Sequence, residues 1–451
     1  MSSTIAALST PNGESAIALV RLSGGECLRL SEDIFKKGVP VPRKSNWASY
    51  KSLNGEILDD CVFTFFKGPA SYTGEDMLEI ATHGNPFIVQ CVLEDLFERG
   101  CVPAEPGEFT RRAFMNDKMD LSQAEGVALL ISARSQRSLN AARRQLMGAL
   151  GERVRNFCDR LMDISALIEA YIDFPEDDLP PEDKSRVASE AEKLSCEIQA
   201  LIDSSKYTPL IHQGLNIVIA GAPNAGKSSL MNELLGHSRA IVSPKAGTTR
   251  DFIDEKIIID GCSANLTDTA GLRNSDDAIE SAGISKALEK ISACDVCLLT
   301  IDASDPKLSL PQETQDLLNA KNTVVVLNKC DAEGADPDKY KKIYKEFACV
   351  ETSCRTHQGI SSLRAAISQL IKSNSILPAA DDILVSSRHA QALSKAKSCL
   401  MSAAEKTIKD IPSELVASDV REALNALGEI TGKTDNEQIL DRVFSKFCIG
   451  K

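Results

Sequence analysis

The residues Gly221-Ala-Pro-Asn-Ala-Gly226-Lys227-Ser228 follow directly on the apolar run Asn216-Ile-Val-Ile-Ala220. A G-x-x-x-x-G-K-S between a strand and a helix constrains its surroundings more than any other feature of the chain, because it needs a buried strand to deliver the loop and a helix N-terminus to receive a phosphate. Its glycines let backbone N–H groups turn inward, Lys227 adds a point charge at the β and γ positions of a nucleotide, and Ser228 is placed to ligate magnesium. Ala225 and Ser229 are grouped with them as nucleotide contacts. The runs Lys256-Ile-Ile-Ile259, Val296 to Ile301 and Thr323-Val-Val-Val-Leu327 alternate with helical patterns between Leu215 and about Ser373. That alternation predicts a doubly wound, largely parallel sheet.

Three further motifs follow in the order a guanine-nucleotide site requires. Asp268-Thr269-Ala270-Gly271 closes a strand, so the aspartate can hold the magnesium shell and the Gly271 amide can sense a γ-phosphate. Asn328-Lys329-Cys330-Asp331 closes a later strand, where a carboxylate can accept both N1–H and the exocyclic amine of guanine. Adenine offers no such donor pair. Ser353-Cys354-Arg355 completes the base pocket. The residue after Gly271 is Leu272, so the glutamine that orients water in Ras-type enzymes is missing and another polar group must serve. Asn274, Asp276, Asp277 and Glu280 stand just downstream. Asn224, inside the phosphate loop, either offers an amide oxygen to a cation bridging the phosphates or simply forms the turn.

The flanking segments differ in kind. Up to about Asp117, short apolar runs such as Ala16-Ile-Ala-Leu-Val-Arg21 and Cys61-Val-Phe-Thr-Phe-Phe66 alternate with turn signals, an α+β pattern. No proline interrupts Leu121 to Tyr171, and Leu150, Val154, Phe157, Leu161, Ile164, Ile168 and Tyr171 recur at alternating steps of four and three, a heptad seam. Past the acidic, proline-broken stretch Asp173 to Asp183, read as a solvated interhelical turn, Val187, Ala191, Leu194, Ile198 and Leu201 repeat the spacing. Helical periodicity returns after Ser373 with Leu393, Leu400, Leu424 and Leu427, then Ile439, Leu440, Val443, Phe444 and Phe447. Each helical block carries an apolar stripe that must be buried, so the two blocks are expected to pack together with the α/β unit inserted between them.

At 451 residues the chain is long enough for about three domains. Its formal charge of −13 excludes a chain-wide cationic field, so any nucleic-acid contact must be local or come through a partner. No apolar run reaches the ~18 residues of a membrane span and the start lacks a basic secretory signal, which predicts a cytoplasmic protein without a membrane partner. Fourteen scattered cysteines suit a reducing compartment. Cys294-Asp-Val-Cys297 opens an apolar strand, where burial is expected in place of redox or metal chemistry.

The chain resembles the MnmE (TrmE) family of tRNA-modification GTPases over nearly its whole length. Thr73-Gly-Glu-Asp76, Pro106-Gly-Glu-Phe109, Asn116-Asp-Lys-Met-Asp120, Ile172-Asp-Phe-Pro175, Ala246-Gly-Thr-Thr-Arg-Asp251 and the terminal Phe447-Cys-Ile-Gly-Lys451 carry the likeness. It implies a multidomain α/β and α+β protein: an N-terminal α+β folate-binding and dimerisation domain over 1–118, and a discontinuous helical domain over 119–213 and 374–451. An inserted Ras-like P-loop G domain would occupy 214–373. The resemblance also implies a GTP-hydrolysing homodimer that acts on tRNA with the flavoprotein MnmG in a heterotetramer-like complex. The product would be an aminomethyl or carboxymethylaminomethyl group on the wobble uridine of certain tRNAs. Carried over residue by residue, Asn224, Ser243, the Lys245 carbonyl and Thr248 would ligate potassium. Pro244, Ala246 and Gly247 belong to the same loop, and Ser228 and Thr249 would hold magnesium. Glu280 would position the hydrolytic water through another water and is grouped with Asn224 and Lys227 as catalytic. Arg21, Glu79, Lys118 and Lys451 match the contacts to formyl-tetrahydrofolate.

The departures from the family pattern are small. Cys354 stands in place of the usual alanine, and Pro244 with Lys245 makes the potassium loop unusual, although that loop contributes mainly backbone carbonyl. The terminal Cys448-Ile-Gly-Lys451 is not expected to serve as a prenylation box, since Gly450 is not aliphatic and lysine is not a typical recognition residue. Two other functions share parts of this layout: a ribosome-assembly GTPase of the Era or Der kind, and a folate-dependent one-carbon transferase regulated by its G domain. No KH-type G-x-x-G module or basic tail supports the first.

Overall fold

The computed structural model describes residues 3–173, 184–236, 254–268, 288–305, 312–373, 383–409, 411–433, 437–445 and 447–451. They form two units. Met1–Ala128, Gln145–Cys196 and Gln391–Lys451 make one, and Leu129–Arg144 with Glu197–Ala390 make the other.

The first unit begins with a six-stranded sheet made of β1 (Ile5–Leu8), β2 (Ser15–Ser23), β3 (Ser45–Lys51), β4 (Ile57–Phe66), β5 (Met77–Gly84) and β6 (Val102–Pro103), in the order β3-β4-β5-β2-β1-β6. Every pairing is antiparallel except β1 with β6. Alternation along the strands puts Val20, Leu22, Tyr50, Phe63, Phe65, Leu78 and Ile80 on one buried face, covered by the helices Cys27–Phe35 and Pro86–Glu98. Phe35 stacks on Phe63 with ring centroids 3.8 Å apart.

The proline-free stretch divides into three helices, Leu121–Ser132, Gln136–Leu146 and Ala149–Asp173. The heptad seam lies on the third: Leu150, Val154, Phe157, Leu161, Ile164 and Ile168 are all buried. Each Leu, Ile or Phe fully buried there contributes about 1.5–3 kcal/mol. The helix Ser413–Thr431 packs along it, burying Val416, Val420, Ala423, Leu427 and Ile430. The helical blocks before and after the α/β unit do bury their stripes against one another, as the periodicity required. Val187, Ala191, Leu194 and Ile198 are buried on the helix Lys184–Ser204, whereas the acidic stretch before it lies largely outside the described residues. The final segment closes the unit, with Leu440, Val443, Phe444 and Phe447 clustering on Leu121 and Ala124.

The second unit is built on β7 (Leu215–Gly221), β8 (Asp254–Ile259), β9 (Cys262–Asp268), β10 (Val296–Asp302), β11 (Thr323–Asn328) and β12 (Ala348–Glu351), in the order β12-β11-β10-β7-β9-β8. All neighbours are parallel except the hairpin β8–β9. Near-continuous Val, Ile and Leu along β7, β10 and β11 reflect burial on both faces. The helices Lys227–Gly236 and Ile360–Ser373 cover one face through Leu230, Leu234, Leu363 and Ile367. Cys294 and Cys297 are buried on the other, as expected, and all fourteen cysteines are free. Among the described residues no helix is long and apolar enough to cross a membrane.

Candidate functional site

Strand β7 ends at Gly221 and the helix Lys227–Gly236 begins six residues later, so the phosphate loop occupies the turn at the C-terminal edge of the parallel sheet. That edge is where open α/β sheets bind ligands. Asn224 is exposed with φ 63°, and asparagine tolerates this left-handed conformation, which by itself accounts for the residue type. Gly226 has φ 92°, and a Cβ there would lie 2.2 Å from Nδ2 of Asn328. Only glycine lets the loop approach the end of β11 so closely. The Lys227 ammonium is buried and donates to the carbonyls of Gly221 at 3.0 Å and Ala222 at 2.8 Å, across the mouth of the loop.

Asn328, at the end of β11, ties the two halves of the site together. Its Nδ2 donates to the Ala225 carbonyl at 3.1 Å, and its Oδ1 accepts from the Cys354 backbone N–H at 3.4 Å and from the Thr352 hydroxyl at 3.4 Å. Asp331 is exposed and accepts from the Ser353 hydroxyl at 2.6 Å, a bond that holds its carboxyl below the usual carboxylate range. An ionised acceptor therefore stands three residues past the end of β11. Lys329, with φ 61°, pairs with Asp302 at 2.6 Å. Burial works against ionisation of Asp302, but the Lys329 ammonium and the Ser304 hydroxyl and N–H outweigh it and lower the pKa. Cys330 donates to the Leu327 carbonyl. Cys354 packs beside the sheet core, and burial pushes its thiol up to about 11, so it behaves as a small apolar residue much as alanine would. Arg355 and Ser229 are exposed.

The Ser228 hydroxyl donates to Oδ2 of Asp268 at 2.7 Å. A hydroxyl and a carboxylate side by side on two elements are the hard oxygen donors that magnesium takes alongside phosphate oxygens and water. Ser243, Pro244, Lys245, Ala246, Gly247, Thr248 and Thr249 lie outside the described residues, as do Thr269, Ala270, Gly271 and Glu280.

In the first unit, Arg21 and Glu79 stand directly opposite each other across β2 and β5. The guanidinium donates from Nε at 3.0 Å and Nη2 at 2.8 Å to one carboxylate oxygen, with its carbon 5.8 Å from the Tyr72 ring and 5.9 Å from that of Phe109. A partly buried ion pair against two aromatic rings presents both charge signs beside a flat apolar surface. Lys118 is exposed and donates to the Pro69 carbonyl at 3.0 Å. Lys451 follows a docked tail: the Ser9 hydroxyl donates to the Gly450 carbonyl at 3.1 Å, and a Cβ on Gly450, whose φ is 89°, would lie 2.3 Å from the Leu8 carbonyl oxygen. The tail thus reaches the end of β1, the strand that pairs Ala7 with Arg21.

Motifs noted for their resemblance turn out to contact one another. Arg112 bridges Glu75 at 2.9 Å and Glu108 at 2.8 Å, Thr73 meets Ser23 at 2.7 Å, and Asn116 donates to the Thr73 carbonyl at 2.7 Å. Asp120 accepts from Gln123 N–H at 2.9 Å at the start of the next helix. Asp302 and Thr352, which bond to Lys329 and Asn328, went unnoticed in the sequence. Asp302 closes β10 as Asp268 closes β9, and that repeated strand ending was the available signal.

Two family descriptions match the chain: "GTP-binding protein TrmE N-terminus" over residues 4–118 and "MnmE helical domain" over residues 121–448. Among curated relatives, "tRNA modification GTPase MnmE" of Opitutus terrae is 47% identical over 448 residues, covering 99% of this chain and 99% of that one. The protein of the same name from Aquifex aeolicus is 40% identical over 456 residues and 100% of both chains, and that of Akkermansia muciniphila 40% identical over 458 residues and 99% of both. Among solved structures, the G domain of the T. maritima FeoB iron transporter is 24% identical over 35% of this chain and 98% of its own, with a TM-score of 0.26, too low to carry an argument.

Proposed function

Because the chain belongs to the MnmE family of tRNA modification GTPases, we propose that it binds and hydrolyses GTP and couples that cycle to modification of tRNA. The observation that carries the nucleotide reading is the connected network in which Asn328 ties the phosphate loop to the segment holding Ser353 and Asp331. Asp331 would accept from N1–H and the amine of guanine, Lys329 would lie along the base, and the loop from Asn224 to Ser229 would wrap the phosphates with Lys227 at the β and γ positions. Ser228 and Thr249 would hold magnesium, with Asp268 supporting its shell. When bound, that ion neutralises charge on the β and γ oxygens. Asn224, Ser243, the Lys245 carbonyl and Thr248 would hold potassium, which supplies a positive charge where an arginine finger acts in related enzymes. Leu272 cannot orient water, so Glu280 is assigned that task through a second water.

In the N-terminal domain, Arg21, Glu79, Lys118 and Lys451 would bind formyl-tetrahydrofolate, carboxylate to the donor edge of the pterin and cations to the glutamate tail. The Tyr72 and Phe109 rings beside Arg21 suit a flat heterocycle. The working species would be a cytoplasmic homodimer acting with the flavoprotein MnmG. Together they would install an aminomethyl or carboxymethylaminomethyl group on the wobble uridine from a folate one-carbon unit. The division into 1–118, 119–213, 214–373 and 374–451 assigns folate binding and dimerisation, the two helical parts, and the G domain. Mass spectrometry of tRNA nucleosides from cells lacking this protein tests the reading. Loss of the wobble-uridine modification is expected. Intact modification with defective ribosomal subunits would support an assembly role instead.

A further inference from the structure

The helix Lys227–Gly236 carries Lys227 and Ser228 at its N-terminal end, and its other end is held by a residue more than a hundred positions away. Arg364, in the helix Ile360–Ser373, donates from Nη2 to the Leu234 carbonyl at 2.7 Å and from Nη1 to the Ile258 carbonyl at 3.2 Å. Leu234 lies in the last turn of its helix, where carbonyls have no partner within the helix. Ile258 lies in β8, which pairs along its length with β9, the strand that ends in Asp268. One planar guanidinium thus joins the phosphate helix to the hairpin bearing the aspartate.

This arrangement is expensive for the fold. Among the described residues no carboxylate pairs with Arg364, and its Nε is buried without a hydrogen-bond partner. Burial alone lowers its pKa. An apolar residue would pack there at less cost, unless the fork of two hydrogen bonds has a task.

We propose that Arg364 is a positioning residue for the magnesium site: it fixes the phosphate helix to β8–β9 so that the Ser228 hydroxyl, a ligand, and the Asp268 carboxylate, which supports the shell, stand 2.7 Å apart. The helix is about 15 Å long, and a tilt of about 4° moves its end by about 1 Å. Magnesium demands near-ideal octahedral geometry, so a displacement of that size spoils the site while the phosphate loop still closes. The proposal rests on the GTPase reading given above.

The test is equilibrium binding of a fluorescent, non-hydrolysable GTP analogue to the full-length protein, titrated with magnesium and repeated in EDTA. For Arg364→Met, the magnesium concentration at half-effect should rise about tenfold or more, with affinity in EDTA within about twofold of the unsubstituted protein. Arg364→Lys keeps the charge and the hydrocarbon stem but not the fork, and serves where Arg364→Met fails to fold. A half-effect concentration unchanged in either folded variant overturns the proposal. Equal loss of affinity with and without magnesium overturns it too, since that is general loosening of the fold. If the unsubstituted protein itself shows no magnesium-dependent binding, the underlying reading falls and takes the proposal with it.

Discussion

Gly226→Ala would drive a methyl group into the buried junction between the phosphate loop and the end of β11. The new Cβ would arrive 2.2 Å from Asn328 Nδ2, well inside the 3.0 Å below which such contacts essentially never occur. Asn328 cannot swing aside cheaply, because it is buried and bonded on three sides, to Ala225, Thr352 and Cys354. Holding alanine at φ 92° costs about 1–2 kcal/mol. Breaking the bond to the Ala225 carbonyl leaves a buried group unsatisfied at about 1–3 kcal/mol. Guanine-nucleotide affinity should therefore fall by about 30-fold to a few thousandfold, at about 1.4 kcal/mol per factor of ten. Gly236→Ala, at the other end of the same helix, meets nothing among the described residues within 4 Å of the new methyl and should change affinity by less than about twofold. Titration of both variants with a fluorescent GDP analogue makes the comparison. Affinity of Gly226→Ala within about threefold of the unsubstituted protein would refute the coupling of phosphate loop and base pocket through Asn328.

Asp331→Asn should weaken GTP and favour xanthosine triphosphate, because a paired acceptor becomes a mixed donor and acceptor; competition binding reads this directly. The Ser353 hydroxyl keeps Asp331 ionised below the usual carboxylate range, so guanine recognition is present above that lowered pKa and lost as pH falls through it. Ser353→Ala should move that acid loss of GDP affinity to higher pH. GTP turnover should be several-fold faster in potassium than in sodium at matched ionic strength, with Asn224→Ala losing the potassium effect and Glu280→Ala hydrolysing slowly in both salts; equal rates in the two salts would remove potassium from the mechanism. Gly450→Ala meets the Leu8 backbone at 2.3 Å, so the tail should undock and binding of a formylated tetrahydrofolate, followed by calorimetry, should drop by about tenfold or more. Full folate affinity in that variant would separate Lys451 from the folate contacts.

Much of the nucleotide half was legible residue by residue, because each motif closes a strand. Asp268 ends β9, Asn328 ends β11, and Gly221 ends β7 where the loop begins. Apolar runs of five residues, Asn216 to Ala220 and Thr323 to Leu327, marked β7 and β11, and a strand end in a parallel sheet is where a side chain reaches a ligand. The heptad seam was legible for a similar reason: a spacing of three and four is a property of one helix and needs no partner to be seen. Less visible was the break of the proline-free stretch into three helices. Nothing local marks Arg137 and Gly261 as neighbours, yet the Arg137 N–H donates to the Gly261 carbonyl at 3.4 Å and Lys372 pairs with Asp260 at 2.9 Å in the same turn.

The sequence by itself therefore determined the alternation of strands and helices around the phosphate loop, the place of Asp331 just past a strand end, and the stripes that had to be buried. All of these depend on periodicity and on residues within a few positions of one another. Only the tertiary structure decided what each charged group faces. Arg21 meets Glu79 across two strands, Arg112 holds two acidic motifs together, Lys329 finds Asp302, and Arg364 reaches two carbonyls on separate elements. A charged side chain has a flexible stem and a long reach, so its partner depends on where the packed apolar core places distant segments, and no pattern along the chain encodes that.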